Sequence, residues 1–130
     1  PHIQLTPHPW RRLKTPSSLR QIPLIGASLW AAQRIKASGH TFAFPKYCSV
    51  KQCSSNSASA AINKWLKPRV PKGCVIHSFR HSLRDRLRAV KCPSDIVDAL
   101  SGWATAGVGQ KYGQGYDIQV KHRWMARLEE

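Results

Sequence analysis

The sequence contains few acidic residues. Aspartate and glutamate together number 6, against 21 lysines and arginines, and the 130-residue chain has a formal net charge of +15. Proteins bind magnesium mainly through carboxylate oxygens, and the sequence shows no acidic cluster suited to it. Asp95 and Asp98 are instead predicted to form the start and the exposed face of one short helix. We therefore expect a protein that uses no metal and no other cofactor.

Long apolar segments are also missing. No apolar run approaches the roughly 18 residues of a membrane-spanning helix. The polar segment 1–10 contains three prolines and does not resemble a signal peptide. We therefore expect no membrane partner and a cytoplasmic, nucleoid-associated location. Because there is no initiator methionine, we also expect the sequence to be a piece of a longer chain.

The cysteines do not form the paired motif that binds zinc. Cys48, Cys53, Cys74 and Cys92 are separated by four, twenty and seventeen residues. Tetrahedral zinc sites favour C-x₂₋₄-C pairs on both sides. We predict free, reduced thiols, as in a reducing compartment, with disulfide pairing and zinc binding as the alternatives.

Basic residues are the most prominent feature of the composition. They extend from Arg11 to Arg127 rather than lying in one tail, which indicates one folded domain with a basic surface. Such a charge favours a polyanionic partner. A membrane-surface protein and a ribosomal protein are the alternatives that the composition leaves open.

The residue pattern predicts a mainly α fold with a small β-hairpin, an α+β class. Alternating residues predict strands at 2–6 and 19–24, which pair around a basic turn that carries Lys14. Helical periodicity and the flanking Gly, Pro and Ser residues predict five helices. These lie at 26–38, 57–66, 76–90, 95–100 (with Ser94 as its N-cap) and 117–128.

The helix at 76–90 organises the chain because it carries two different faces. At about 100° per residue, its apolar residues fall on one side and its basic residues on an adjacent arc. The apolar stripe comprises Ile76, Phe79, Leu83, Leu87 and Val90. The basic arc comprises His77, Arg80, His81, Arg84 and Arg88. We predict that the apolar stripe is buried and that the basic arc binds anions.

Further apolar residues are predicted to be buried near the second helix. Phe42 and Phe44 precede that helix and are expected in the core. Its own buried face is predicted to comprise Ala58, Ala61, Ile62 and Trp65.

Three motifs follow one another at defined spacings. His77-Ser78-Phe79-Arg80 forms an H-x-x-R box, Gly102-Trp103 comes next, and Tyr112 lies nine residues after Trp103. In this order and spacing they resemble the H-x-x-R box, the Gly-His or Gly-Trp pair and the nucleophile of the tyrosine recombinases, the phage-integrase class. Leu13-Lys14-Thr15, followed by Arg20-Gln21-Ile22-Pro23-Leu24, is similar to the hairpin that carries the family's minor-groove lysine.

The resemblance implies a chemistry and a role for each residue. Tyr112 would attack a DNA phosphorus and form a 3′-phosphotyrosyl link while a 5′-hydroxyl leaves, and Lys14 would be the general acid for that hydroxyl. Arg80, His77 and Trp103 would stabilise the phosphate, because fixed donors lower the energy of a transition state that gathers negative charge. The residues expected to contact DNA are Arg11, Arg12, His81 and Arg84.

The sequence also departs from the family. The family's first catalytic arginine lies in a T-G-x-R segment ahead of the hairpin, and these residues contain no such motif. Arg11 and Arg12 lie in the wrong context to replace it. We therefore expect residues 1–130 to be a partial catalytic domain, with the hairpin at about 2–24 and the helical part at 26–130, that is weak or inactive alone. Tyr116 is a rival nucleophile whose spacing fits less well.

The resemblance implies site-specific recombination or integration of a phage or another mobile element into double-stranded DNA, by a protein that is tetrameric on DNA when full length. A type IB topoisomerase-like enzyme, which relaxes DNA by the same chemistry, is one alternative. A non-catalytic DNA-binding module is another, because residues 76–103 outline a helix-turn-helix. Asp95 and Asp98, however, make its second helix a poor match to a recognition helix.

Overall fold

The computed structural model describes residues 1–104 and 115–129, which combine one small antiparallel sheet with helices. Strands β1 (His2–Leu5) and β2 (Arg20–Pro23) form the sheet, and a 3₁₀ turn at Pro16–Ser18 precedes β2. The described residues form helices α1 (Gly26–Ala37), α2 (Ser55–Leu66), α3 (Ser78–Ala89), α4 (Ser94–Ser101) and α5 (Ile118–Ala126). The predicted class, mainly α with a small hairpin, is confirmed. None of these helices is long and apolar enough to span a membrane.

The hairpin pairs β1 with β2 along their full length. Leu5 lies opposite Arg20 at the end where the chain turns. In the connecting loop, the main-chain groups of His8 and Arg11 exchange two hydrogen bonds, of 2.9 and 2.8 Å. Arg20, the first residue of β2, therefore lies at the loop end of the hairpin, beside the 3₁₀ turn.

The buried core lies between the end of α3, all of α4, and α5. Leu87 at its centre has no exposed surface. The core comprises Leu87, Cys92, Ile96, Val97, Leu100 and Met125. Strand β2 packs against both α4 and α5, so the hairpin is held on the same unit as these helices.

Residues close in sequence define the ends of α4. Gly102 closes the helix in the left-handed conformation, with a φ of 72°, which a glycine adopts without a Cβ penalty. The N–H groups of Gly102 and Trp103 both donate to the carbonyl of Asp98, at 2.7 and 3.0 Å. The helix begins at Ser94 with Pro93 before it, so the prediction that Ser94 is the N-cap was wrong by one residue.

Burial of the apolar stripe of α3 was predicted correctly only for its C-terminal half. Leu87 is buried, and Leu83 and Val90 are half-buried and pack against the core. Phe79 is 61% exposed and Ile76 is 37% exposed, which contradicts the prediction. The reason is that the core formed with α4 and α5 reaches only the C-terminal half of α3, so these two side chains lie outside it.

The predictions of burial near α2 were also wrong. Trp65 is 58% exposed and Ile62 is 40% exposed, while Leu66, which was not predicted, is the buried residue of the helix. Phe44, predicted in the core, is 59% exposed, and Phe42 is half-buried. An apolar face indicates which side of a helix can pack, but it does not show whether another element of the chain lies against that side.

The four cysteines are free. Cys92 belongs to the core, and burial, followed by the negative charge of Asp95, raises the pKa of its thiol to about 11. Among the described residues, no group of three or more His, Cys, Asp or Glu side chains is arranged to hold a metal ion.

Candidate nucleic-acid interface

Two arginines of α3 lie on the ring of Trp103, just beyond the end of α4. The guanidinium carbon of Arg80 is 4.6 Å from the ring centroid, and that of Arg84 is 4.7 Å from it. Both distances are within the range of cation–π attraction. The residues of the H-x-x-R box and of the Gly-Trp pair, more than 20 positions apart in sequence, are therefore joined through Arg80 and Trp103.

The C-terminal end of α4 holds Arg80 in place. Its Nη2 donates to the main-chain carbonyl of Ser101 at 2.9 Å. The last carbonyl groups of a helix lack partners within it and lie at the negative end of the helix dipole. A cation placed there is stabilised, so the guanidinium of Arg80 is held by its ring contact and by a hydrogen bond.

A third arginine, which the sequence did not identify as a site residue, lies at the same helix end. Arg20 donates from Nε to the carbonyl of Leu100 and from Nη1 to the carbonyl of Ser18, both at 3.0 Å. Burial, and then the positive charge of Arg80, lower the pKa of the Arg20 guanidinium. We call Arg20, Arg80 and Arg84, together with Trp103, the arginine cluster.

Gly102 lets Arg20 lie against the main chain. A Cβ atom on residue 102 would be 2.3 Å from Nη1 of Arg20 and 2.6 Å from its Cζ. The Oγ of Ser17 in the 3₁₀ turn also donates to the Gly102 carbonyl, at 3.4 Å. The hairpin loop and the end of α4 are thus in direct contact at the arginine cluster.

The hydrogen bonds of the cluster leave its positive charge in place. Arg20 and Arg80 donate to carbonyl groups, which carry no net charge. The Nε of Arg84 is buried and has no hydrogen-bond partner among the described residues. Arginine stays protonated and can donate two parallel hydrogen bonds to one phosphate. The cluster therefore keeps its positive charge, and those of its N–H groups that are neither buried nor used in these bonds can donate to a phosphate group.

The predicted histidines lie at the N-terminal end of α3, on its exposed side. The rings of His77 and His81 are 5.4 Å apart in an edge-to-face arrangement. His77 is the residue before α3, one turn from Arg80. Both rings are exposed, so each can reach a ligand bound over the first turn of the helix.

The predicted basic residues of the hairpin loop lie a few positions before Arg20 in the sequence. Lys14, Arg11 and Arg12 are exposed. The hydroxyl of Thr15, next to Lys14, is 3.0 Å from the Oγ atoms of both Ser17 and Ser18. Ser17 of this short polar turn bonds to the end of α4, and Lys14 immediately precedes the turn.

Of the two candidate tyrosines, Tyr116 belongs to the described part of the chain and Tyr112 lies outside it. The hydroxyl of Tyr116 donates to Oδ2 of Asp95. This hydrogen bond is the main cause that raises the pKa of the Tyr116 hydroxyl. Tyr116 is therefore held at the start of α4 by a carboxylate.

Lys121 of α5 is a buried cation that was not predicted as a site residue. It is 8% exposed. Burial, and then the charge of Arg20, lower the pKa of its ammonium group, against the opposite effect of Asp117. The sequence did not indicate a buried charge at this position, because Lys121 lies among the apolar residues that predicted a packed helix face.

Comparison with known proteins identifies no relative. No family model matches the chain, and no curated protein and no solved structure matches it either.

Proposed function

We propose that this chain is the later part of the catalytic domain of a tyrosine recombinase, which cuts and rejoins double-stranded DNA for site-specific recombination or integration. The observation that carries the proposal is the placement of Arg80 on the Trp103 ring with its guanidinium bonded to the end of α4. Two residues that the motifs single out separately meet there. Arg20 and Arg84 add positive charge at the same place.

The proposed reaction uses only residues of the chain and the DNA. The Tyr112 hydroxyl loses its proton, through His77 or directly to solvent, as its oxygen attacks the phosphorus; the bond to the 5′ oxygen breaks, and Lys14 gives a proton to the departing 5′-hydroxyl. Arg80 and the N–H of Trp103 donate to the nonbridging oxygens, and His77 donates or relays a proton near neutral pH. The phosphotyrosyl bond preserves the energy of the phosphodiester, so rejoining needs neither ATP nor a metal ion.

The environment of Tyr116 supports the choice of Tyr112 as nucleophile. Attack requires a hydroxyl that can lose its proton and approach a phosphate. The Tyr116 hydroxyl donates to Asp95, and its pKa is raised. A carboxylate beside it also repels a phosphate. Tyr116 is therefore a poor nucleophile.

The test is the capture of a covalent protein–DNA adduct on a nicked suicide substrate, whose short 5′-hydroxyl fragment diffuses away after cleavage. The chain is assayed alone and fused behind a T-G-x-R segment placed ahead of the hairpin. We expect the fusion to form the adduct, in EDTA as well as without it. The chain alone should be slower by about 10²–10³, the usual effect of one missing preorganised donor.

Matched variants of the fusion assign the roles. Tyr112→Phe should form no adduct, whereas Tyr116→Phe should form it almost normally. Arg80→Gln should slow cleavage by about 10²–10³. Arg69→Gln removes an arginine stacked at 4.3 Å on Trp65, outside the cluster, and should change the rate little. An adduct that persists in Tyr112→Phe and disappears in Tyr116→Phe would reverse the assignment of the nucleophile.

Two outcomes would favour the alternatives. Relaxation of supercoiled plasmid without recombination between target sites would indicate topoisomerase-like activity. Retardation of DNA with no adduct in any version would indicate a non-catalytic DNA-binding module. Site-specific inversion or integration supports the recombinase.

A further inference from the structure

The segment between α1 and α2 brings two cysteines face to face. Cys48 and Cys53 are partners in an isolated antiparallel bridge. The residues that flank them are joined by main-chain hydrogen bonds, of 2.8 Å from Ser49 to Gln52 and 2.7 Å from Ser54 to Tyr47. The cysteines are therefore a non-hydrogen-bonded pair, whose Cα atoms lie about 4.5 Å apart. A disulfide spans Cα separations of about 4.4–6.8 Å.

The two thiols are also close enough to interact, and neither is fully buried. A side-chain hydrogen bond with Cys53 raises the pKa of the Cys48 thiol, and both residues are only half-buried. The turn between them is held by the Oγ of Ser49, which accepts from the N–H groups of Lys51 and Gln52, each at 3.3 Å. A small reagent can therefore reach a pair of thiols that the main chain already holds in place.

We propose that Cys48 and Cys53 form a redox modification site, which a low-molecular-weight disulfide such as oxidised glutathione converts reversibly into an intramolecular disulfide. One cysteine thiolate attacks a sulfur of the reagent and displaces the first small thiol, which leaves a mixed disulfide. The second cysteine thiolate then attacks the protein sulfur and releases the second small thiol. Two protein thiols are oxidised, one small disulfide is reduced to two thiols, and the two protons pass to those thiols.

This site goes beyond the proposed DNA chemistry and does not depend on it. The cysteines lie in the connection to α2, and neither of them belongs to the arginine cluster. The disulfide would close the exposed turn 49–52 covalently just before the first residue of α2. Neither Cys74 nor the buried Cys92 takes part in this bridge.

The positions of the lysines make the test unambiguous. The full chain is equilibrated in glutathione buffers of increasing oxidised fraction, acid-quenched, alkylated, and digested with trypsin. Cleavage after Lys46, Lys51 and Lys64 puts Cys48 in the peptide 47–51 and Cys53 in the peptide 52–64. Cys74 and Cys92 fall in two other peptides. We expect peptides 47–51 and 52–64 to be joined by a disulfide in oxidising buffer and to separate on reduction, while Cys92 stays reduced.

Variants and denaturant show whether the fold creates the site. Cys48→Ser and Cys53→Ser should each prevent the linked pair, and Cys74→Ser should leave it unchanged. In urea, the formation constant should fall at least about tenfold, because the fold no longer holds the thiols at high effective concentration. Equal formation in urea, a mixed disulfide that never closes, or alkylation of both cysteines in every buffer would each overturn the proposal.

Discussion

Gly102 and Arg20 lie so close together that any side chain on residue 102 would meet the guanidinium, since a Cβ there would be 2.3 Å from Nη1. This contact joins the hairpin to the end of α4, and Arg20 keeps its hydrogen bonds to Leu100 and Ser18 because the space is empty. The position of Arg20 in the cluster therefore depends on a glycine that the sequence alone explains as a helix stop.

Gly102→Ala should destabilise the fold more than Gly39→Ala does. Both glycines are left-handed, with φ of 72° and 68°, but a Cβ at position 39 meets no atom within 4 Å. Gly39→Ala should therefore lower the free energy of unfolding by about 1 kcal/mol, through the strain of the left-handed backbone alone. Gly102→Ala should cost about 1–2 kcal/mol more, since it also displaces the hydrogen bonds of Arg20. Urea denaturation measures both, and equal costs would show that Arg20 moves aside freely.

Trp103→Ala should weaken DNA binding by at least about 5-fold, because two arginines lose the ring that holds them in place, and ordering each freed side chain on binding costs about 0.5–1.5 kcal/mol. Trp103→Phe keeps an aromatic face and should lose less. Trp30→Ala is the control, since Trp30 stacks with Arg34 at 5.1 Å but lies on α1. Fluorescence anisotropy with a labelled duplex gives the affinities, and circular dichroism verifies the fold. An equal loss in Trp30→Ala would place binding on the general basic surface.

DNA affinity should fall steeply as salt is raised. Each phosphate that the protein neutralises contributes about −0.9 to the slope of log K against log salt. Arg80→Gln should reduce the steepness of that slope by about 0.9 if Arg80 contacts one phosphate. A salt series on wild type and variant measures the difference. A flat response in the wild type would exclude the basic surface as the binding face.

The Cys92 thiol should make stability depend on alkaline pH. Its pKa rises from 9.0 to about 11 on folding, so the folded state holds the proton more tightly than the unfolded state does. The protonated thiol therefore contributes to the free energy of unfolding. This contribution is fully present below pH 9.0 and is lost as the pH rises through about 11. The destabilisation caused by Cys92→Ala should therefore shrink between these values.

The control for that measurement is Val97→Ala, which removes a buried core side chain without a titrating group. The loss of unfolding free energy caused by Val97→Ala should stay constant between about pH 8 and pH 11. A pH dependence seen only in Cys92→Ala is then due to the Cys92 thiol and not to other titrating groups. Lys121, whose pKa is lowered, makes stability change with pH in the opposite direction. It is present in every variant, so its effect cancels in the differences. A cost of Cys92→Ala that does not change with pH would contradict the buried-thiol explanation.

Local sequence signals predicted the elements well. The alternating residues on both sides of the basic turn became β1 and β2, and Gly102 ended α4 where predicted. The helical periods at the positions of α1 and α5 also gave their bounds within a few residues. These signals act between residues a few positions apart, through turn geometry and side-chain spacing, and are therefore readable without the fold.

Contacts between distant segments were predicted less well. The motifs singled out Arg80 and Trp103, but they did not show that Arg84 shares the same ring. Arg20 went unnoticed because strand alternation does not reveal that its Nε reaches the carbonyl of Leu100, 80 residues away. Phe79 was predicted to be buried because it belongs to the apolar stripe, but it is exposed. A stripe of apolar residues does not show how far along α3 the other helices reach.

By itself, the sequence determined the positive charge, the order of strands and helices, the stop at Gly102, and which residue types stand in the H-x-x-R box. Only the tertiary structure decided that α4 ends between the hairpin and α3, so that Arg20 and Arg80 share its last carbonyls. The physical reason is range. Turn and helix preferences arise within one or two turns of chain, whereas the arginine cluster exists only when buried contacts hold three separate segments together.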